Sequence, residues 1–269
     1  MTRKQERARA RRRWEKQQAR TAQRSQDRAR RLRVLAVVGV VLAVVAGTAV
    51  LGVTVGGSPT PGASSTPSTA STTLAGCELP PKPLGTAAEL DLPSAKTAAG
   101  KTYKATLSTN CGDIVLRLDG TKAPQAVASF LQLAQQQYWK DSPCHRLTTA
   151  APLKVLQCGD PTGTGQGTPG YGFGVENAPK DGTYERGTLA MARTNDPKKG
   201  NGGQFFIVYG KSSLPDPDGY TVFGTVTSGL DIVDKVAAQG VAPNDTSPDD
   251  GPPAAPISIL SVAVTEEKS

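Results

Sequence analysis

The fold is decided by residues 188–210, which read TLAMARTNDPKKGNGGQFFIVYG. Two runs rich in apolar and β-branched residues, 188–193 and 204–209, lie on either side of a segment of Asn, Asp, Pro, Lys and Gly. Short runs of this kind between turn-forming residues are typical of β-strands. Successive side chains of a strand point to opposite faces of the sheet, so Phe205 and Phe206 cannot lie on the same face. We therefore predict two strands here, with the two phenylalanines on opposite faces of the second.

Further β-rich runs and two helical patterns surround this pair. The other predicted strands are 103–108, 114–118, 143–149, 153–157, 220–226 and 257–264. One helix is expected at 126–138, after Pro124, and a second at 230–238, before Gly240. The sequence thus predicts a mainly β fold, a closed eight-stranded antiparallel β-barrel capped by two α-helices, preceded by a single transmembrane helix.

The charge of the chain is concentrated at its N-terminus. Residues 1–33 contain fourteen Lys or Arg and three acids, a net charge of +11, and since the whole chain carries +8, the remainder carries −3. The folded part is therefore mildly acidic, and we do not expect it to bind nucleic acid.

The membrane segment is predicted at residues 34–56, which carry no charge and as a helix would cross a hydrocarbon core of ~30 Å. The basic residues precede it, so the positive-inside rule makes 1–33 a cytoplasmic tail and leaves the C-terminal domain outside the cell membrane. A cleaved signal peptide is the alternative, although its apolar run is typically only ~7 to 15 residues long. A lipoprotein-like box at 74–77 is disfavoured because a polar stretch separates it from the apolar run.

Three regions follow the predicted membrane helix. Residues 57–76 form a stalk rich in Ser, Thr and Pro, a composition with too little apolar surface to fold alone. Residues 77–100 are expected to be an extended lead-in that packs on the domain. Residues 101–269 are the predicted folded domain.

Four cysteines on the outer side of a membrane can form disulfides. We favour Cys144 with Cys158, which lie on consecutive predicted strands, and Cys77 with Cys111, which lies in the turn after the first strand. Four buried free thiols are the alternative. No metal site is expected, because the chain has no CxxC pattern and only one histidine, His145.

Three sets of segments, taken together, resemble the cyclophilin family. The first set is CHR at 144–146 with VLQCGD at 155–160; the second is GTGQGTPGY at 163–171; the third is LAMAR at 189–193, NGGQFFI at 201–207 and VFG at 222–224. The resemblance covers roughly residues 101–264. It implies a cyclophilin barrel whose outer face carries a shallow groove for an Xaa-Pro segment.

The resemblance also implies roles for individual residues. It makes Arg146 the catalytic arginine. The residues that it places at the substrate are Gln157, Phe206, Val155, Leu214, Tyr220, Ala192, Arg193, Thr194 and Gln204. Among them, Val155, Leu214 and Tyr220 correspond to the proline pocket, and 192–194 to the edge along which the peptide runs.

The function implied by the resemblance is peptidyl-prolyl cis-trans isomerisation in exported or cell-envelope proteins, assisting their folding, by a monomeric domain without a cofactor. A non-catalytic module that binds proline-containing peptides is the alternative, motivated by Lys154, where the family commonly has Phe, and by a longer loop at 147–153. A third hypothesis gives the basic tail a role in binding anionic lipid or nucleic acid, although a topology signal is the favoured interpretation.

Overall fold

The computed structural model describes residues 73–244 and 247–267, which contain twelve strands, two α-helices and a 3₁₀ turn. The strands are β1 (Thr102–Thr109), β2 (Gly112–Asp119), β3 (Ser142–Pro143), β4 (Arg146–Thr148), β5 (Val155–Cys158), β6 (Thr183–Tyr184), β7 (Thr188–Arg193), β8 (Asn201–Val208), β9 (Ser212–Ser213), β10 (Val222–Ser228), β11 (Asp250–Gly251) and β12 (Ser258–Glu267). The helices are α1 (Pro124–Gln135) and α2 (Leu230–Ala238), and the 3₁₀ turn is Ala95–Thr97.

Ten of these strands form one curled antiparallel sheet, in the order β11-β4-β5-β8-β7-β10-β2-β1-β12-β3, and β6 pairs with β9 separately. The predicted closed eight-stranded barrel is therefore a half-barrel, since within the described ranges no ladder joins its end strands β11 and β3. Both end strands have only two residues, and Pro143 at the end of β3 has no N–H to donate. The mainly β class and the two helices are as predicted.

The predicted strand at 143–149 is divided into β3 and β4. The Cys144 N–H donates to the carbonyl of Ile257, beside β12, at 2.9 Å. Two residues later, Arg146 pairs with Gln157 of β5. The chain passes here from one end of the sheet to the other, so a continuous ladder is impossible.

Helix α1 ends three residues earlier than predicted. It begins at Pro124, as the fixed φ of proline favours, and buries Val127, Phe130 and Leu133. Gln137 then takes a φ of 52°, and the Tyr138 N–H donates to the Leu133 carbonyl at 2.9 Å. This arrangement is a Schellman motif, which satisfies the last carbonyls of the helix and turns the chain away.

The main core lies between α1 and the concave face of the sheet. The ring of Phe130 lies 4.6 Å from Trp139, 6.0 Å from Phe205 and 5.9 Å from Phe223, measured between centroids. The indole N–H of Trp139 donates to the Gly203 carbonyl at 3.0 Å, so its burial leaves no unsatisfied donor. Phe206 belongs to a second cluster of buried residues, so the two phenylalanines separate as the alternation predicts.

Two disulfides are present, Cys77–Cys111 and Cys144–Cys158, and they join the pairs that the sequence analysis favoured. The second crosses from the end of β3 to β5, next to the gap between the ends of the sheet. Residues 73 to 94, before the 3₁₀ turn, contain no helix and no ladder strand, and residues 75–76 form a turn.

None of the helices in the described ranges is both long enough and apolar enough to span a bilayer. The predicted cytoplasmic tail at 1–33, the membrane helix at 34–56 and most of the stalk at 57–76 lie outside the residues that the structure describes.

Candidate functional site

A row of side chains crosses the outer face of the sheet on four neighbouring strands. Arg146 of β4 is paired with Gln157 of β5, Gln157 with Phe206 of β8, and Phe206 with Ala190 of β7. Residues that are directly opposite in an antiparallel ladder have their side chains on the same face. The register therefore brings together an arginine, an amide and an aromatic ring that are far apart in the sequence.

The guanidinium of Arg146 is held by two partners. Its Nε and Nη2 donate to the two carboxylate oxygens of Asp250 at 2.7 and 2.8 Å, and its Nη1 donates to Oε1 of Gln157 at 3.3 Å. The side chain of Arg146 is 39% exposed, so it faces the groove rather than the core. The hydrogen bonds to Asp250 raise the pKa of Arg146 further above its ordinary value, and the group stays charged.

Gln157 is itself fixed by a chain of amides. Its Nε2 donates to Oε1 of Gln204 at 3.0 Å, and the Gln204 Nε2 donates to the carbonyls of Gly165 and Gly167, both at 3.0 Å. The orientation of Arg146 is thus connected, through two glutamines, to the backbone of residues 159–172, which we call the Gly-rich loop.

The apolar part of the site is a compact cluster beside this row. Its buried members are Val155, Tyr184, Ala190, Phe206 and Val208, and Leu153, Ala192, Leu214, Tyr220 and Val222 pack against it. The rings of Phe206 and Tyr220 are 5.8 Å apart, edge to face. Phe206 is only 4% exposed, whereas the five residues packed against the buried ones, Leu214 and Tyr220 among them, are partly exposed and form the accessible rim of the cluster.

Lys154 stands where the resemblance leads us to expect Phe, and the residue before it, Leu153, provides the apolar side chain instead. Leu153 packs against the apolar cluster, while the aliphatic stem of Lys154 lies beside Gly210, where a Cβ would be 2.7 Å from its Cδ. The loop between β4 and β5 therefore provides one apolar side chain to the cluster from the preceding position.

Tyr184 is a buried member of the apolar cluster and packs against Phe206 and Tyr220. Its hydroxyl accepts the N–H of Tyr220 at 2.7 Å and donates to the Tyr220 carbonyl at 3.3 Å. Burial raises the pKa of Tyr184 to about 12, so the hydroxyl keeps its proton at neutral pH. These bonds fix the backbone of Tyr220, and with it the rim residue.

The edge of the groove at 192–194 is held by a buried ion pair. Nη2 of Arg193 lies 2.6 Å from Oδ2 of Asp216, and the two side chains are 2% and 6% exposed. Neither atom has an aligned hydrogen-bond partner, so the contact is an ion pair without a linear hydrogen bond. The guanidinium carbon also lies 4.9 Å from the ring centroid of Tyr220, within range of a cation–π interaction.

Two concavities adjoin Gln157. One, of about 500 Å³, lies between Arg146, Asp250 and the Gly-rich loop. The other, of about 710 Å³, lies between that loop and residues 192–194. An extended peptide could pass from the first, beside Arg146, to the second.

His145 lies in the wall of the first concavity. Neither ring nitrogen meets a partner in hydrogen-bond geometry, although Gln204 and the Pro143 carbonyl are near. Burial lowers the pKa of His145; the carboxylate of Asp160 opposes this shift, and Arg146 adds to it. The ring is therefore neutral at neutral pH.

In the described part of the chain, no group of three or more His, Cys, Asp or Glu side chains could hold a metal ion. Three contributors to the site, Asp250, Asp216 and Tyr184, were not predicted from the sequence. All three lie in loops or two-residue strands, where no periodic pattern marks them.

Comparison with known proteins gives a consistent result. The model of the family described as "Cyclophilin type peptidyl-prolyl cis-trans isomerase/CLD" matches residues 104–264. The "Probable peptidyl-prolyl cis-trans isomerase B" of Mycobacterium tuberculosis (strain ATCC 25618 / H37Rv) is 44% identical over 204 residues, covering 70% of this chain and 63% of that protein. The "Peptidyl-prolyl cis-trans isomerase" of Helicobacter pylori (strain ATCC 700392 / 26695) is 39% identical over 139 residues, 51% of this chain and 81% of that protein.

A solved structure of a cyclophilin type peptidyl-prolyl cis-trans isomerase from Cryptosporidium parvum is 31% identical, with a TM-score of 0.49, and the match covers 62% of this chain and 99% of that one. The chain spans less than two thirds of the length of its mycobacterial relative.

Proposed function

Because the chain belongs to the cyclophilin-type peptidyl-prolyl cis-trans isomerase family, we propose that it catalyses rotation about Xaa-Pro peptide bonds. The observation that carries this proposal is the row Arg146, Gln157 and Phe206, which lies on one face of three adjacent strands. An arginine fixed beside an apolar cluster suits a substrate that has a proline ring next to an amide.

The barrier to this rotation comes from the partial double bond of the amide, and it is ~18 to 20 kcal/mol. In the twisted transition state the prolyl nitrogen gains a lone pair, which can accept a hydrogen bond that the planar ground state cannot. A donor aimed at this nitrogen therefore stabilises the transition state selectively. The two isomers of an Xaa-Pro bond differ by only ~0.5 to 1 kcal/mol, so catalysis concerns the barrier alone.

Arg146 has donors available for this task. A guanidinium carries five N–H groups. Three of those on Arg146 are engaged with Asp250 and Gln157, which leaves one on Nη1 and one on Nη2. Since the partners hold the plane of the guanidinium, little reorganisation is needed when the substrate twists.

The apolar cluster provides the second part of the mechanism. A proline ring against Leu214 and Tyr220 would lie beside the row of Arg146 and Gln157 and exclude water from it. A hydrogen bond is stronger in such a low-dielectric setting than in water. We assign Ala192, Arg193 and Thr194 to the edge that binds the rest of the peptide.

The proposed clients are exported or cell-envelope proteins, reached by a domain anchored to the cell membrane. The uncharged run at 34–56 with its basic flank supports the anchor, and two disulfides in the described domain support an oxidising compartment. Protease added to intact cells tests this location: we expect the C-terminal domain to be digested. Its protection in intact cells, with digestion only after lysis, would contradict the proposal.

The activity is tested by an isomerisation assay of the full chain on a chromogenic Xaa-Pro peptide. We expect Arg146→Ala to lower kcat/KM by about 10²- to 10³-fold, the usual loss for one transition-state donor. The matched control is Arg186→Ala, because Arg186 also makes a two-point contact with a carboxylate, through Nη1 and Nη2 to Asp234 at 2.7 and 2.6 Å, away from the row.

Two results would contradict the isomerase proposal. A wild-type rate equal to the uncatalysed rate, with measurable peptide affinity, would select the non-catalytic binding module instead. Equal losses in Arg146→Ala and Arg186→Ala would show that Arg146 contributes no more than any surface arginine.

A further inference from the structure

The segment 77–94, which we call the strap, precedes the residues that match the family model but contacts one wall of the groove. Its first end is fixed to the β1–β2 turn. Cys77 is bonded to Cys111, the Glu78 N–H donates to the Asn110 carbonyl at 2.7 Å, and the Asn110 side chain donates back to the Glu78 carbonyl at 2.8 Å.

The other end of the strap is fixed to α1. The side chains of Gln132 and Gln125 donate to the carbonyls of Asp91 and Pro93, each at 2.9 Å. Two separate anchors, one at the β1–β2 turn and one on the helix, therefore hold the strap in place across the surface between them.

Between its anchors the strap contacts the Gly-rich loop, residues 159–172. The Gly85 N–H donates to the Pro161 carbonyl at 3.2 Å, and the Leu90 N–H donates to the Pro169 carbonyl at 2.8 Å. The side chain of Leu90 packs on the main core. Gly170 has a φ of 84°, and a Cβ on it would be 3.2 Å from that of Glu89, so strap and loop are in direct contact.

The opposite side of the same loop forms the groove. The carbonyls of Gly165 and Gly167 receive the side chain of Gln204, which holds Gln157. Thr168 and Gly170 line the 710 Å³ concavity, which faces residues 192–194. The strap therefore contacts the side of the Gly-rich loop that faces away from the groove, and a bound peptide would contact the other side.

The sequence of the Gly-rich loop leaves its backbone with much conformational freedom, which contacts with the strap restrict. Glycines have the largest conformational freedom of any residue, and the loop has one at every second or third position from 163 to 172. The base of the loop is fixed by the buried Asp160, which accepts from the N–H groups of Thr162 at 2.8 Å and Gly167 at 3.1 Å. The stretch 168–170 lies beyond these bonds and rests on the strap.

We infer that the strap is a positioning element for the Gly-rich loop and so sets the affinity for the substrate residues that run beyond the Xaa-Pro pair along 192–194. This inference rests on the proposed function. It assigns a role in substrate selection to residues outside the matched family region. Short substrates that occupy only the neighbourhood of Arg146 are expected to be nearly independent of the strap, because Asp160 and not the strap holds the part of the loop that binds Gln204.

The test compares Leu90→Asp with Leu92→Asp in the full chain. Both substitutions place a carboxylate on the strap, but Leu90 packs on the core and Leu92 is 44% exposed. Hydrogen exchange of residues 163–172 is measured by mass spectrometry. KM and kcat are measured for a peptide with several residues on each side of the prolyl bond and for a capped Xaa-Pro dipeptide.

We expect Leu90→Asp to speed exchange in the loop and to raise KM for the long peptide by about fivefold, as when about 1 kcal/mol of ordering cost is added to binding. The dipeptide and the Leu92→Asp variant are expected to change by less than about twofold. If Leu90→Asp does not fold, Leu90→Ala takes its place with the same expectations.

Two outcomes would overturn the inference. Loop exchange in Leu90→Asp that matches Leu92→Asp would show that the strap does not order the loop. An equal rise in KM for the long and the short peptide would show a general effect on the domain rather than one on the part of the groove along 192–194. Faster exchange in Leu90→Asp together with an inactive wild type would instead refute the isomerase proposal, while the effect of the strap on the loop would stand.

Discussion

Replacing Asp216 by Asn tests how much the buried ion pair with Arg193 contributes to the stability of the domain. Asn keeps Oδ1, which accepts the Asp218 N–H at 3.0 Å, so the substitution mainly removes charge. The guanidinium of Arg193 would remain almost fully buried, with its Nε and Nη1 still donating to the carbonyls of Gly219 and Thr194, both at 2.8 Å. It would lose its only buried counter-charge among the contacts of the described residues.

The expected loss of stability follows from that burial. Breaking a buried ion pair by removing one partner costs about 3 to 5 kcal/mol, because the other charge stays desolvated. In a domain of this size each kcal/mol lowers Tm by about 2 to 4 °C, so Asp216→Asn should lower Tm by about 6 to 20 °C. The control is Asp218→Asn, the same substitution at an exposed position two residues later.

Thermal unfolding by calorimetry measures this difference. A Tm of Asp216→Asn within about 2 °C of that of Asp218→Asn would refute the reasoning, since it corresponds to less than ~1 kcal/mol. The double variant Arg193→Met with Asp216→Leu separates charge from packing. It should recover much of the lost Tm, because replacing both members of a buried pair by apolar groups is often neutral.

Three further predictions concern the neighbourhood of the groove. Asp250→Asn should lower kcat about tenfold with little change in KM, since an amide has one acceptor oxygen, so one of the two hydrogen bonds that orient the partly exposed Arg146 is lost and the other is no longer assisted by a carboxylate charge. Steady-state kinetics check this, and an unchanged kcat contradicts it. The pKa of His145 is lower in the folded state than its ordinary value of 6.5, so below pH 6.5 the unfolded state binds a proton more readily than the folded state does. The free energy of unfolding should therefore fall as the pH drops below 6.5. Because His145 is the only histidine, urea titrations of His145→Gln should show a flatter profile between pH 7 and 5, and equal slopes contradict the assignment. Replacing Cys144 and Cys158 by Ser should cost ~3 kcal/mol in guanidinium unfolding, from the closure entropy of a loop of 14 residues, and a loss below ~1 kcal/mol contradicts it.

The elements that the sequence predicted best are those with a local signal. Strand β7 was predicted with the bounds that it has, because Gly187 and a turn segment frame a short apolar run. Helix α2 was also predicted with its observed bounds, because Val233 and Val236 repeat at helical spacing before Gly240. In β8, the alternation of faces was enough to separate Phe205 from Phe206. In each case the deciding interactions lie within a few residues.

The parts that the sequence could not predict depend on contacts between distant segments. Asp250 lies 104 positions from Arg146, in a stretch where Gly, Pro and Asp allow many conformations. It reaches the arginine because β11 pairs with β4 at the end of the sheet, and a two-residue strand leaves no periodic pattern to detect. The failure of the barrel to close has the same origin, since it depends on β3 and β11, which are equally short.

The pairing of Arg146 with Asp250 also discriminates between kinds of ligand. An arginine that binds a carboxylate or phosphate uses its uncompensated charge and a free two-point edge of the guanidinium. Here Asp250 occupies the edge formed by Nε and Nη2 and compensates the charge, and Gln157 engages one N–H of Nη1. What remains is a pair of fixed N–H donors with little net attraction for an anion. Such donors suit a neutral acceptor whose lone pair forms only as an amide twists, so the pairing that weakens anion binding supports the proposed hydrogen bond to a prolyl nitrogen.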